Sequence, residues 1–362
     1  GTRKPRASEL ARLLLLYGRS VSEFARSAAP SESPPFLVQF RESRGASSSD
    51  VNRTAAIQQF EQLCRWYREM EAAAGFQEFA PLPPDYSVQS LNPVQAGEKL
   101  GSAQRNRLGM GDGPIADLWG LLESGAGLRI FSFPMHHHAG IAGMFVFASD
   151  LGACVALNAN HPAERQRWSL AHEYAHLLTN RFRAEITVLR SRGRSDPNER
   201  IANAFAIHFL MPTTGVIRRF QSIQHETGGK MTPTELLQLS QLYGVSVESM
   251  THRLEDLELL PSNTWDRLQE KGFKPRAAQQ MLGIPNDRTG QPRFPVRYVA
   301  LCVAAYQRGE LSEGQLAQRL LSDRVGVRRI VDEISGAETL GDDGEIRQLP
   351  LDLGLELSVR GS

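Results

Sequence analysis

The chain has 362 residues, 41% of them hydrophobic and 22% charged, which is ordinary for a globular protein of two or three domains. Forty-one Lys and Arg against forty Asp and Glu leave a formal charge of +1, so no chain-wide field favours nucleic acid or an anionic surface, and only a local basic patch could. No apolar run approaches the ~20 residues that span a bilayer, which excludes a membrane-spanning helix and makes the cytoplasm the expected location.

Cys64, Cys154 and Cys302 lie far apart with no CxxC spacing. Buried free thiols in a reducing compartment are expected, rather than a disulfide framework or a cysteine zinc site. The sequence starts Gly1-Thr2-Arg3-Lys4 without a Met, and we expect it to be part of a longer chain.

Residues 1–45 read as a basic, partly helical segment, with Ser8 placed to cap a helix through Leu10, Leu13, Leu14 and Tyr17 that ends at Gly18. The polar stretch Arg41 to Asp50 reads as a linker. Asp50 is a good N-cap for a helix whose apolar residues Ile57, Phe60, Leu63, Cys64, Tyr67 and Met70 recur at three and four. Pro81, Pro83, Pro84 and Pro93 then break helical structure. Helix resumes over Val94–Arg107, stops in the run Gly109 to Gly113, and is expected to restart with Pro114 in its first turn. This second helix runs through Ile115, Leu118, Trp119 and Leu122 and ends near Gly125 and Gly127. Three short β-type runs follow, at 128–133, 142–147 and 153–157. From Ala163 onward the pattern is almost wholly helical. The fold class expected is α+β, mostly helical, with one small twisted sheet. Domain boundaries are expected at 1–45, 46–92, 93–215, 216–275, 276–340 and 341–362, the last a flexible tail.

The chemistry concentrates at His172-Glu173-Tyr174-Ala175-His176, an HExxH. On a helix, positions i and i+4 share a face one turn apart, so both imidazoles can reach one cation. Glu173 sits beside the first ligand, where it can deprotonate a water held there. Nine His and forty acidic residues in this length would give about 0.03 such motifs by chance, so composition does not explain it. A tetrahedral catalytic site needs a third protein ligand. Asp196 and Pro197 start the next helix, Glu199 lies in its first turn, and Pro212 ends it. Glu199 is the favoured third ligand, with Glu185, His161, His208 and the run His136-His137-His138 as competitors. Asn203 lies one turn beyond Glu199 on the same face, placed to hydrogen-bond a ligand.

The run Gln166-Arg167-Trp168-Ser169-Leu170-Ala171-His172-Glu173-Tyr174-Ala175-His176-Leu177-Leu178 resembles the core of ImmA/IrrE metallo-endopeptidases. So do Asn198-Glu199-Arg200-Ile201-Ala202-Asn203-Ala204-Phe205-Ala206, Phe209-Leu210-Met211-Pro212, and the approach Leu108-Gly109-Met110 with Pro114-Ile115-Ala116-Asp117-Leu118. The resemblance spans about residues 93–260. It departs at Tyr174 and Ala175, where the family often has an aliphatic residue and Gly, and at Trp168, often Phe. It implies a zincin-like peptidase core whose sheet packs on the HExxH helix, flanked by helical domains. It also implies His172, His176 and Glu199 as ligands of zinc, or of manganese in its place, and Glu173 as general base. The implied substrate is an XRE-type helix-turn-helix repressor, whose cleavage would relieve repression of stress or mobile-element genes. An extended substrate is expected to pair with an edge strand near 153–157, and Tyr174 is one candidate for stabilising the oxyanion.

Residues 1–24, through Gly1-Thr2-Arg3-Lys4-Pro5, Leu10-Ala11-Arg12-Leu13 and Leu15-Leu16-Tyr17-Gly18, resemble the second half of an XRE-type DNA-binding domain. DNA is therefore an expected partner of that segment. The competing reading is a DNA-binding regulator whose metal-site domain senses rather than cuts. Two later segments, 234–260 and 311–330, also have helix-turn-helix character. The first carries Glu248, Glu255, Asp256 and Glu258 against Arg253, which suits a protein-packing hairpin better than a DNA-facing one.

Overall fold

Branched and aromatic residues bounded by Gly, Asp and Asn favour strands after Gly127, whereas the leucine- and alanine-rich segments around them favour helices. A computed structural model describes residues 35–44, 51–76, 81–87, 92–188, 196–281, 283, 293–335, 338–340 and 346–348. The chain divides into two units, Gly1–Arg68 with Gln77–Pro295, and Glu69–Phe76 with Val296–Ser362. The helix expected over 8–18, the basic N-terminal remnant and most of the expected flexible tail lie outside the described residues. Residues 36–44, expected to run into a linker, form helix α1 (Phe36–Arg44).

Helix α2 (Val51–Ala73) belongs to the first unit as far as Arg68, and α3 (Pro93–Arg107) and α4 (Leu118–Ala126) follow in that unit. The start of α4 corrects the expectation: Pro114 stays outside the helix, which begins only after Asp117, and Gly127 ends it in the left-handed conformation at φ 66°. Strands β1 (Arg129–Phe133), β2 (Ile141–Ala148) and β3 (Gly152–Asn158) match the three apolar runs. A fourth strand, β4 (Glu185–Val188), interrupts the helical pattern expected after Ala163. The order is β1-β3-β2-β4, with β1 parallel to β3 and β2 antiparallel to both β3 and β4. The 153–157 strand is therefore interior, not an edge. Its two sides are taken by β1 and by the hairpin partner β2, so it has no free ladder for a substrate.

Alternation gives the sheet two faces. Ile130, Phe145, Val155 and Leu157 enter the main apolar core with Leu170, Tyr174 and Leu177 of α5 (Ala163–Thr179). On the other face, Phe131 meets Tyr67 of α2 edge-on at 6.3 Å, and the Cys154 thiol lies near Cys64, whose own thiol is pushed well up by burial. All three cysteines are buried free thiols.

Helix α6 (Pro197–Leu210) packs against both α5 and α3. Its start follows the expected chemistry, since the Asp196 side chain accepts from Asn198 N and Pro197 takes the first turn. The α3–α6 approach is set by glycine. A methyl at Gly97 would stand 2.5 Å from both Ala204 Cβ and Phe205 N, and one at Gly101 would stand 3.2 Å from His208 Cβ. Buried Arg105 reinforces the same seam, donating to the carbonyls of Gly111 at 2.6 Å, Phe209 at 2.5 Å and Gly113.

Helices α7 (Thr213–Glu226), α8 (Pro233–Tyr243) and α9 (Val247–Asp256) continue the unit. The α8–α9 hairpin turns at Gly244 (φ 62°) and buries Leu236, Leu237, Val247, Met250 and Leu254 in the main core. Arg253, the basic residue of α9, is buried and donates to Met211 O and Thr213 Oγ1. The hairpin thus packs against protein, and α9 offers no exposed arginine. Two shorter helices, α10 (Thr264–Glu270) and α11 (Pro275–Met281), follow.

The second unit contains α12 (Val296–Gln307), α13 (Glu313–Arg319), α14 (Arg324–Ser335) and an antiparallel pair, β5 (Glu338–Leu340) with β6 (Ile346–Gln348). Tyr298, Cys302, Leu316, Leu320 and Val327 form its interior. Ser312 and Gln315 close a capping box on α13. Arg319 donates to Glu69, and Arg328 is engaged by Glu313.

Replacing Gly97 by Val forces the α3–α6 seam apart. We expect Gly97→Val to lower the unfolding free energy by about 1–3 kcal/mol, as overpacking typically does, measured by denaturant titration.

Candidate metal centre

Helix α5 forms because Leu170, Ala171, Ala175, Leu177 and Leu178 are apolar and mostly strong helix formers, so burial and intrinsic preference agree. Its inner face then carries polar groups into the interior. His172 is 2% exposed, and Glu173 and His176 are 0% exposed. The one-turn spacing brings the two rings together, with their Nε2 atoms 3.1 Å apart. Glu199, in the first turn of α6, approaches from across the helix pair: Oε2 lies 3.5 Å from His172 Nε2, and Oε1 lies 3.9 Å from His176 Nε2. Among the described residues, these three form the group able to hold a metal, their donor atoms all within 4.8 Å of one another.

The donor set fits a zinc ion. Two neutral imidazole nitrogens and one carboxylate oxygen are a common catalytic zinc set. Two nitrogens bonded at about 2.0–2.1 Å in a tetrahedron stand roughly 3.3 Å apart, close to the spacing found here. Two ring nitrogens facing each other in a buried site repel unless a cation or proton lies between them. Asn203, one turn after Glu199 on α6, accepts from His172 Nδ1–H at 3.0 Å. That bond leaves Nε2 as the free lone pair, turned toward His176 and Glu199. Burial alone would push the His172 pKa down. The hydrogen bond to Glu199, the nearby Glu173 charge and Asn203 outweigh it, and the net direction is up.

The competing third ligands stand elsewhere. His208 Nδ1 is engaged by Arg253 at 3.3 Å, and its pKa is lowered by burial and by that guanidinium. His161 is also pushed down, by burial and then Arg165. His136 and His137 stack on each other at 4.7 Å and are exposed. Glu185 opens β4, opposite Phe145.

Tyr174 does not face the site. Its hydroxyl donates to Gln104 Oε1 at 2.6 Å and accepts from Arg107 at 2.8 Å, both on α3. Its ring packs on Phe205 and Phe209. This corrects its candidacy for the oxyanion: as part of the α3–α5–α6 seam, it is already fully engaged.

One residue of the site escaped the sequence reading. A methyl at Gly143 on β2 would meet Glu173 Oε1 at 2.5 Å. The carboxylate thus rests on the sheet at a point where a side chain on β2 would force it to shift. A glycine inside an apolar strand was the available signal, because such glycines often mark a close approach.

Residues 124–255, about a third of the chain, match the family described as IrrE N-terminal-like domain (Peptidase_M78). The resemblance to ImmA/IrrE proteins is thereby shown for this segment. It contains β1 to β4, both site helices and the α8–α9 hairpin, and the match supports a metallopeptidase-type function. A search of curated proteins returned no match to the chain.

Two outcomes are expected. Purified chain should bind one zinc per molecule in calorimetric titration. Asn203→Ala should weaken that binding about 10–100-fold, and His172→Ala should abolish it. Separately, burial pushes the Tyr174 phenol up to about 12. Because the folded state favours the protonated form, this contribution is complete below the ordinary value of about 10 and is lost as pH rises through about 12. Tyrosinate absorbance should show a late-titrating group that Tyr174→Phe removes.

Proposed function

We propose that this chain is a zinc-dependent endopeptidase acting on a protein regulator. The observation that carries the reading is the convergence of His172, His176 and Glu199 with Glu173 buried beside them against Gly143. His172, His176 and Glu199 would hold the ion, and Asn203 keeps the His172 tautomer correct for it. When bound, zinc would supply Lewis acidity toward a peptide carbonyl and toward water. Glu173 accepts the proton of the attacking water on a carboxylate oxygen. It then delivers that proton to the amide nitrogen as the carbon–nitrogen bond breaks. The Gly143 contact restricts where that carboxylate can sit, so the base is positioned before substrate arrives. Glu199, with 21% of its side chain exposed, is the most accessible of the three groups.

The substrate we favour is an XRE-type helix-turn-helix repressor, whose cleavage would release stress or mobile-element genes. This choice rests on the ImmA/IrrE likeness of the core. Among the described residues, no helix is long and apolar enough to cross a membrane. A reducing, cytoplasmic setting suits the three buried free thiols.

Incubating the chain with an XRE-type repressor, followed by mass spectrometry, should reveal defined fragments that a chelator suppresses. Glu173→Gln should retain zinc and lose cleavage by at least about a hundredfold, as removal of a general base does. Undiminished cleavage by that variant would sink the assignment of Glu173. Metal analysis of the active protein distinguishes zinc from manganese.

A further inference from the structure

Glu173 reaches the sheet at Gly143, on the face of β2 that also carries Phe145 into the core around α5. Gly143 is paired with Thr187 of β4 in an antiparallel ladder. Directly opposed residues in such a ladder project to the same face, their Cβ positions about 4.5–5.5 Å apart. The Thr187 side chain therefore leaves the sheet on the Glu173 side, one strand further out. Its neighbour Ile186 pairs with Met144, projects to the opposite face and is buried there. On β4, Ile186 is thus turned away from the Glu173 side and the Thr187 hydroxyl toward it.

That hydroxyl is unusual in its state. Thr187 Oγ1 is buried and has no hydrogen-bond partner among the described residues. A buried hydroxyl with no acceptor destabilises the fold relative to the isosteric methyl of valine. Valine would also suit a strand at least as well. An unmet donor on the sheet face that Glu173 touches, one strand from that contact, is a place where a ligand atom could supply the missing acceptor.

We propose that Thr187 is a further substrate-contacting residue of this site, its hydroxyl donating a hydrogen bond to the carbonyl oxygen of the peptide bond under attack. The inference rests on the peptidase reading above. A hydroxyl is a suitable donor because it needs no change of protonation, and the bond strengthens as negative charge gathers on that oxygen. No proton is transferred: Thr187 O–H remains intact throughout, and Glu173 alone carries the proton from water to the amine. The four-residue strand that presents Thr187 comes directly after the HExxH helix, so one connected segment supplies both ring ligands, the base and this donor.

The test uses the full chain loaded with zinc and a phosphoramidate probe, N-phosphoryl-leucinamide, whose tetrahedral oxygens imitate the attacked carbonyl. Calorimetry compares wild type, Thr187→Val and Thr187→Ser, with zinc stoichiometry and thermal unfolding measured alongside. Thr187→Val should weaken probe binding about tenfold, bind zinc as wild type does, and unfold at an equal or higher temperature. Thr187→Ser should bind the probe within about threefold of wild type. Equal probe affinity in wild type and Thr187→Val overturns the role of Thr187 and leaves the peptidase reading standing. A Thr187→Val protein that loses zinc or unfolds earlier reveals a structural hydroxyl and also overturns it. Wild-type protein that takes zinc but ignores the probe overturns the peptidase reading and this proposal together.

Discussion

Three ionisable side chains on one turn of a buried helix are the constraint that the rest of this structure answers. Removing an imidazole pair and a carboxylate from water costs several kcal/mol per charge unless partners replace the solvent. Here His172 is met by Asn203 and Glu199, and His176 by Glu199, all from α6. Glu173 rests on the sheet at Gly143. The site therefore exists only when α5, α6 and β2 are assembled, and each of those elements is held for reasons outside the site.

The α3–α6 seam is the clearest such reason. Gly97 and Gly101 let the two backbones approach to a distance that side chains would forbid. Arg105 ties the end of α6 to the loop after α3 through three carbonyls. Tyr174 belongs to the same arrangement: although it lies inside the HExxH motif, it faces the opposite side of α5 and joins Gln104 and Arg107. One helix thus serves two functions on two faces, a polar site toward the sheet and α6, and an apolar-aromatic seam toward α3. Because Glu199 is carried on α6, its approach to His172 and His176 depends on the same seam that packs α6 against α3.

The sheet divides its roles in a comparable way. Its inner strands bury residues on both faces, with α5 on one side and α2 on the other. Glu173 meets the sheet where β2 gives up a side chain, at Gly143.

Much of this was legible in the amino-acid order alone. The HExxH spacing, the Asp196-Pro197 helix start and the three apolar runs rest on local rules, namely helical period, capping and strand alternation, which act over a few residues. The pairing of Glu199 and Asn203 with the motif was reachable because a single helix carries both at one-turn spacing. Other features depended on partners distant in sequence. The fourth strand is only four residues long and is stabilised by pairing with β2, so its local pattern was weak. The helix expected from Pro114 starts later, at Leu118. The turn of Tyr174 toward α3, the interior place of the 153–157 strand and the closeness of Gly143 to Glu173 are properties of packing. Sequence by itself determined that two imidazoles at one-turn spacing and a carboxylate share one helix. Tertiary structure decided what surrounds them, because which strand lies at an edge and which face of a helix meets a neighbour are set by contacts between segments that no local period encodes.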